Sequence, residues 1–234
     1  MNHVLLRRDL NANEEMKDQF AVDPAVIPDE IMARLEAGRL KPWKESAVRT
    51  IAFAEARSMK IIGVSGASEN VGNSSITAAI AQTYSNYGKR ILLIDANKAD
   101  IDENAEVPKT KLLNLTESAT PIRKHLHYLD LSHTEFTLPQ ETEYFRSVFQ
   151  IALQYYDVIV VDLPPIVTET GKPAASNLAV GAACDGVFLV CETGRTTRAE
   201  MQQCLASSKI SGMRIEGLLL NDYRLPMNRF LSRF

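Results

Sequence analysis

The 234-residue chain has only three cysteines, Cys184, Cys191 and Cys204, with neither metal-ligand spacing nor an even count. That argues against a zinc cluster or a disulfide framework, and the three read as small apolar side chains in a reducing compartment. No apolar run reaches the ~18 residues needed to span a bilayer. The polar start "MNHVLLRRDLNANEEMKDQF" has no long apolar core of a secretory signal. Net charge is low, −3 with a pI near 5.9, so there is no global pull towards nucleic acid. Internal repeats and low-complexity tracts are also missing. These absences predict a soluble, cytoplasmic protein. What is present is ordinary for a globular chain, 45% hydrophobic and 24% charged residues, with room for one large α/β domain plus an extension.

Residues 1–58 read as an amino-terminal extension and 59–234 as the main domain. "NANEEMKDQF" is polar and acidic and "VDPAVIPDE" holds two prolines, which predicts an extended or flexible arm. A short helix is expected at "DEIMARLEAG", capped by Asp29 and ended by Gly38, and a second at "ESAVRTIAFAEARSM". From Lys60 onwards strands and helices alternate. "IIGVSG", "RILLID", "LHYLDLS", "DVIVVD", "DGVFLVCE" and "MRIEGLLLN" are the predicted strands. Between them, "SSITAAIAQTYSNYG", "ETEYFRSVFQIALQYY" and "TTRAEMQQCLASSKISG" carry helical spacing, as in Phe145, Val148, Phe149 and Ala152. The strands are continuous apolar runs, the pattern of a parallel sheet covered on both faces. Alternation of this kind implies βαβ units, hence a three-layer α/β fold.

The stretch "IIGVSGASENVGNSSITAAIA" has the layout of a phosphate-binding loop, with a strand before and a helix after. The pattern runs from Ala67 to Ser74 and keeps the spacing, Gly72 and the hydroxyl of Ser74, but Asn73 stands where the lysine belongs. Backbone N–H groups at the helix start can cradle an anion whatever the side chains are. The ammonium that bridges the outer phosphates is lost, and Asn73 offers only a shorter, neutral amide. Glu69 places a negative charge in the same loop. Two further strands, "ILLIDAN" and "VIVVDLPP", end at Asp95 and Asp162, where an open parallel sheet places its ligand crevice. There Asp162 would meet Mg²⁺ through water, near Ser74.

With these elements in order, residues from about 45 to 222 resemble the ParA/MinD-type P-loop ATPases. Within that group they look most like the cytoplasmic domains of bacterial tyrosine kinases of capsule and exopolysaccharide export. "LLIDAN" is similar to the kinases' apolar-Asp-x-Asp motif, and "VVDLPP" to their apolar-Asp-x-Pro-Pro motif. "CDGVFLVCETGRTTRAEM" with "IEGLLLND" is similar to their later strand–helix–strand block. The resemblance implies ATP or ADP held by Gly66, Ala67, Val71, Gly72, Asn73, Ser74 and Ser75, with Asn221 on the adenine. It implies Mg²⁺ near Ser74, Asp95 and Asp162, the two aspartates being the candidates for chemistry. It also implies a membrane-bound polysaccharide export or copolymerase partner, a homo-oligomer, no nucleic acid, and a place at the inner face of the membrane.

The departures fall on functional positions. Beside Asn73, the second acid of the first motif is Asn97, and the basic residue expected two places later is Ala99. The kinases' assembly motif on the helix before the first strand is reduced to Ser46, Arg49 and Ala52, and only Tyr223 stands near the place of their carboxyl-terminal tyrosine cluster. The expectation is a kinase-like fold with weak or no turnover, serving as scaffold or regulator. One rival is an active kinase or ATPase in which Lys98, Lys172 or Arg195 replaces the lost lysine. Another is a MinD-like positioning protein, against which Ser68 stands where those proteins carry an extra lysine. In the tail, Met227, Phe230, Leu231 and Phe234 form a short basic amphipathic stretch within 225–234. Docking on the protein's own surface is its default reading, and membrane or partner contact the alternative. His125 and His127 are expected on one strand face as surface residues, and Thr196 to Arg198 as a helix cap.

Overall fold

Isoleucine and valine crowd the strands because their branched side chains pack well on a pleated surface. In this computed structural model, which describes residues 33, 35–36, 40–97, 119–131, 141–168 and 175–222, those runs become one seven-stranded sheet. In chain order the elements are a 3-10 turn Lys41–Trp43, α1 Lys44–Ala56, β1 Ile61–Gly66, α2 Asn73–Asn86, β2 Ile91–Asp95, β3 Thr120–Arg123 and β4 Leu126–Asp130. They continue with α3 Glu141–Ala152, β5 Val158–Asp162, α4 Ala175–Ala183, β6 Gly186–Glu192, α5 Arg198–Ser211 and β7 Ile215–Asn221. Across the sheet the order is β3-β4-β2-β5-β1-β6-β7. Every pairing is parallel except β3 with β4.

Helices cover both faces, so the architecture is the expected three-layer α/β fold. On one side Ile62, Val64, Val160 and Val190 pack with Ile51 of α1 and Ile76, Ile80 and Tyr84 of α2. On the other, Ile159, Val161 and Leu189 pack with Phe145 and Phe149 of α3, Val180 of α4 and Cys204 of α5. The inward set foreseen for α3, Phe145, Val148, Phe149 and Ala152, is buried throughout. Residues 44–56, placed in the extension by sequence, bury Ala47, Ile51 and Ala54 in the same core as α2.

Two elements had no forecast: the short antiparallel strand β3 and the helix α4. His125 also departs from expectation, since it turns at φ +65° in the β3–β4 connection and not on the strand. His127 alone sits on β4, with Nδ1 2.9 Å from the Tyr156 hydroxyl. Among the described residues no helix is long and apolar enough to cross a membrane, and no group of three or more His, Cys, Asp or Glu could hold a metal ion. The tail from Tyr223, the segment holding Lys98 and Ala99, Lys172, and Asp29 and Gly38 of the first expected helix lie outside the described residues.

Candidate functional site

The crevice lies at the carboxyl ends of β1, β5 and β2. Parallel register sets Asp162 beside Val64 on one neighbour and beside Asp95 on the other. The chain leaving β1 is stitched down at once: Ala67 N–H donates to Val190 O (2.8 Å) and Ile166 N–H to Gly66 O (2.9 Å). Gly66 has no room for a side chain, because a Cβ there would stand 2.6 Å from Ser68 O. The loop then reverses through left-handed backbone at Asn70 (φ +58°) and Gly72 (φ +94°) before α2 begins at Asn73. At Gly72 the conformation and the neighbours both demand glycine, since a Cβ would meet the Trp43 ring at 2.9 Å and Asn221 Nδ2 at 3.0 Å.

Asn73 points down, beneath the loop. It is 5% exposed, and its Nδ2 donates to Asp162 Oδ1 and to Leu163 O, both at 3.0 Å. An amide nitrogen has two N–H donors, and both are used. Its Oδ1 lies 3.4 Å from where a Cβ on Gly66 would stand, so an acceptor and not a donor faces that part of the loop. Asp162, 3% exposed, also has the Thr77 hydroxyl 3.5 Å from Oδ1, while that hydroxyl bonds Asn73 O at 2.7 Å. The buried carboxylate thereby accepts from the Asn73 amide, a hydrogen bond of the kind a charge needs away from water.

Asp95, half-buried at the end of β2, accepts from Asn97 N–H at 2.9 Å, and the Tyr128 hydroxyl lies 3.4 Å from its other oxygen. Asn97 Nδ2 is 3.5 Å from Ser74 Oγ, a weak contact at most. Ser74, Asp95 and Asp162 thus meet at one corner, where with Leu35, Thr77 and Tyr128 they line a cavity of about 10 Å³. Asn221, ending β7, is buried and donates from Nδ2 to Val71 O at 2.8 Å, tying the last strand to the loop. Arg195 follows β6 and is bonded to Glu192 at 3.1 Å. Ser74, Asp95 and Asp162 are therefore together in space, and Asn221 is tied to the loop, while Lys98 and Lys172 lie outside the described residues. Sequence reasoning missed Leu35, Trp43, Thr77 and Tyr128. Of these only Thr77, four residues past Asn73 on the same helix face, had a local signal.

The fit of a nucleotide divides between the loop and the corner. Ser68 Oγ is buried without a hydrogen-bond partner. Among the described residues the N–H groups of Ser68, Asn70, Val71 and Gly72 donate to no backbone carbonyl. An orphaned hydroxyl and unspent N–H groups around a glycine turn suit an anion. The corner holds the hydroxyl and carboxylates suited to a hard cation, but its cavity is only about 10 Å³ in this conformation.

No protein-family model matches the chain. Its sequence is 28% identical over 214 residues to the tyrosine-protein kinase YwqD of Bacillus subtilis, covering 83% of this chain and 86% of that protein. The BceF tyrosine kinase domain superposes with a TM-score of 0.59 at 21% identity, over 78% of this chain and 76% of that one. The MinD cell division protein of Aquifex aeolicus gives 0.51 at 16% identity, over 69% of each chain. Both structures share the fold, and the sequence match adds common descent with a named kinase. The chain is a homologue of the bacterial tyrosine kinases, built on the MinD/ParA-like P-loop fold.

Proposed function

We propose that this protein is a degenerate tyrosine-kinase-like P-loop protein of exopolysaccharide or capsule production, a regulatory or scaffolding partner of a membrane-bound export component with weak or no ATP turnover. The observation that carries this reading is the engagement of Asn73 with Asp162 and Leu163 O. Phosphoryl transfer rests on positioned cations that neutralise developing charge. Here the loop's cation is replaced by an amide whose donors are both spent. The backbone cradle still suits ATP or ADP as a bound effector, and kinase ancestry supplies the expectation of an export partner.

The test is turnover. Purified full-length protein with Mg-ATP should show phosphate release and tyrosine labelling no higher than the Asp162→Asn variant. Clear tyrosine labelling that Asp162→Asn abolishes would overturn the proposal and establish an active kinase.

A further inference from the structure

We infer that the segment carrying Leu35 and Trp43 is an internal block of the metal corner, which must move before a nucleotide with its cation can enter. Leu35 is 0% exposed and lines the corner with Ser74, Thr77, Asp95 and Asp162, all far from it in sequence. With Leu35 in place the corner keeps a cavity of about 10 Å³. That volume is about one water probe, roughly the minimum for a single water molecule. A Mg²⁺ ion needs six oxygen ligands at about 2.0–2.1 Å and usually keeps several waters. It cannot share the corner with an isobutyl group.

The segment is held there by specific bonds. Leu35 O accepts from Arg123 of β3 at 2.8 Å and from Gln82 of α2 at 3.4 Å. Glu36 N–H donates to Ala33 O and Leu40 N–H to Glu36 O, two further bonds on this stretch. Leu40 is buried, and farther on Trp43 lies against Gly72 at the loop's last bend. One segment thus touches both halves of the site, the corner through Leu35 and the loop through Trp43. The inference rests on the reading that the corner receives the cation of a nucleotide, and it holds whether or not the protein turns ATP over.

The experiment titrates Mg-ADP into the full-length native protein, Leu35→Ala and Arg123→Ala by calorimetry, with the fluorescence of Trp43, the only tryptophan, read in parallel. Leu35→Ala empties the corner directly, while Arg123→Ala only releases the carbonyl anchor and leaves the core untouched. Both variants should bind Mg-ADP about tenfold or more tighter than native, since apparent affinity rises with the fraction of open conformer. The affinity for ADP with chelator should change much less, and Mg-ADP should shift the Trp43 emission of native protein. Equal Mg-ADP affinities across the three proteins would overturn the inference. Absence of Mg-ADP binding in all three would overturn it as well, because the corner would then stay closed without Leu35. Neither result touches the turnover proposal, which fails only by tyrosine labelling of the native protein.

Discussion

At Asn73, side-chain length decides what the loop can do. A lysine at the first residue of α2 would carry its charge on a four-carbon stem, long enough to reach over the loop. Asparagine has one methylene, and its amide ends where Asp162 and Leu163 O are the available acceptors. A second single residue sets a pH response. His127 is half-buried, 2.9 Å from the Tyr156 hydroxyl and edge-on to its ring, and burial holds its imidazole below the usual pKa of 6.5. Burial likewise pushes the Tyr156 hydroxyl up to about 12, so it stays neutral beside the histidine. Above 6.5 the histidine is neutral in folded and unfolded chains alike, and its contribution is fully present. Below that value the unfolded chain takes the proton first, so stability falls as pH drops towards the lowered folded pKa. Denaturant unfolding between about pH 7 and 5.5 should show this decline, shallower in His127→Gln, which keeps a polar partner for Tyr156 without the titration. Equal slopes for the two proteins would count against it.

Among the elements, α5 shows the most complete local specification. Thr197 caps it, accepting from Glu200 N–H at 3.2 Å, while Thr197 N–H donates to the Glu200 carboxylate at 2.7 Å. That backbone bond, followed by one from the Thr197 side chain, holds the Glu200 carboxyl below its usual pKa. Gly212 closes the other end at φ +76°. Thr197→Ala should lower stability by about 1 kcal/mol in urea unfolding, with the m-value unchanged. Both ends of this helix could be read in the sequence, because capping depends on residues three or four apart. The same holds for α3, whose core face repeats at helical spacing. By contrast β3, "TPIR", is four residues with a proline, too short to show a period. Helix α4, "ASNLAVGAA", is built of small residues without a polar face, so no stripe marks it. Such elements form because the sheet edge and the open face of the sheet are there to receive them.

At the scale of the whole molecule, stability rests on two core layers on either side of a sheet whose central strands are buried on both faces. Phe149 is fully enclosed in one of them, so Phe149→Ala should cost about 3–5 kcal/mol in denaturant unfolding, the lost transfer energy plus a cavity. Ile210 on α5 is 88% exposed, and Ile210→Ser should change stability by no more than about 0.5 kcal/mol. A small effect at Phe149 would mean that this layer is not the packed core described. The sequence by itself determined the order of strands and helices, the loop between β1 and α2, the two strand-ending aspartates and the missing lysine. These are patterns within a few residues, where spacing alone selects strand, helix or turn. Only the tertiary structure decided where the Asn73 amide goes, since its partner Asp162 lies 89 residues away. It likewise decided that Asn221, 150 residues from Val71, holds the loop by its carbonyl, and that Leu35 lines the corner together with the two aspartates. Contacts between distant segments carry no period and no local signature; they exist only once the sheet has brought its carboxyl ends together.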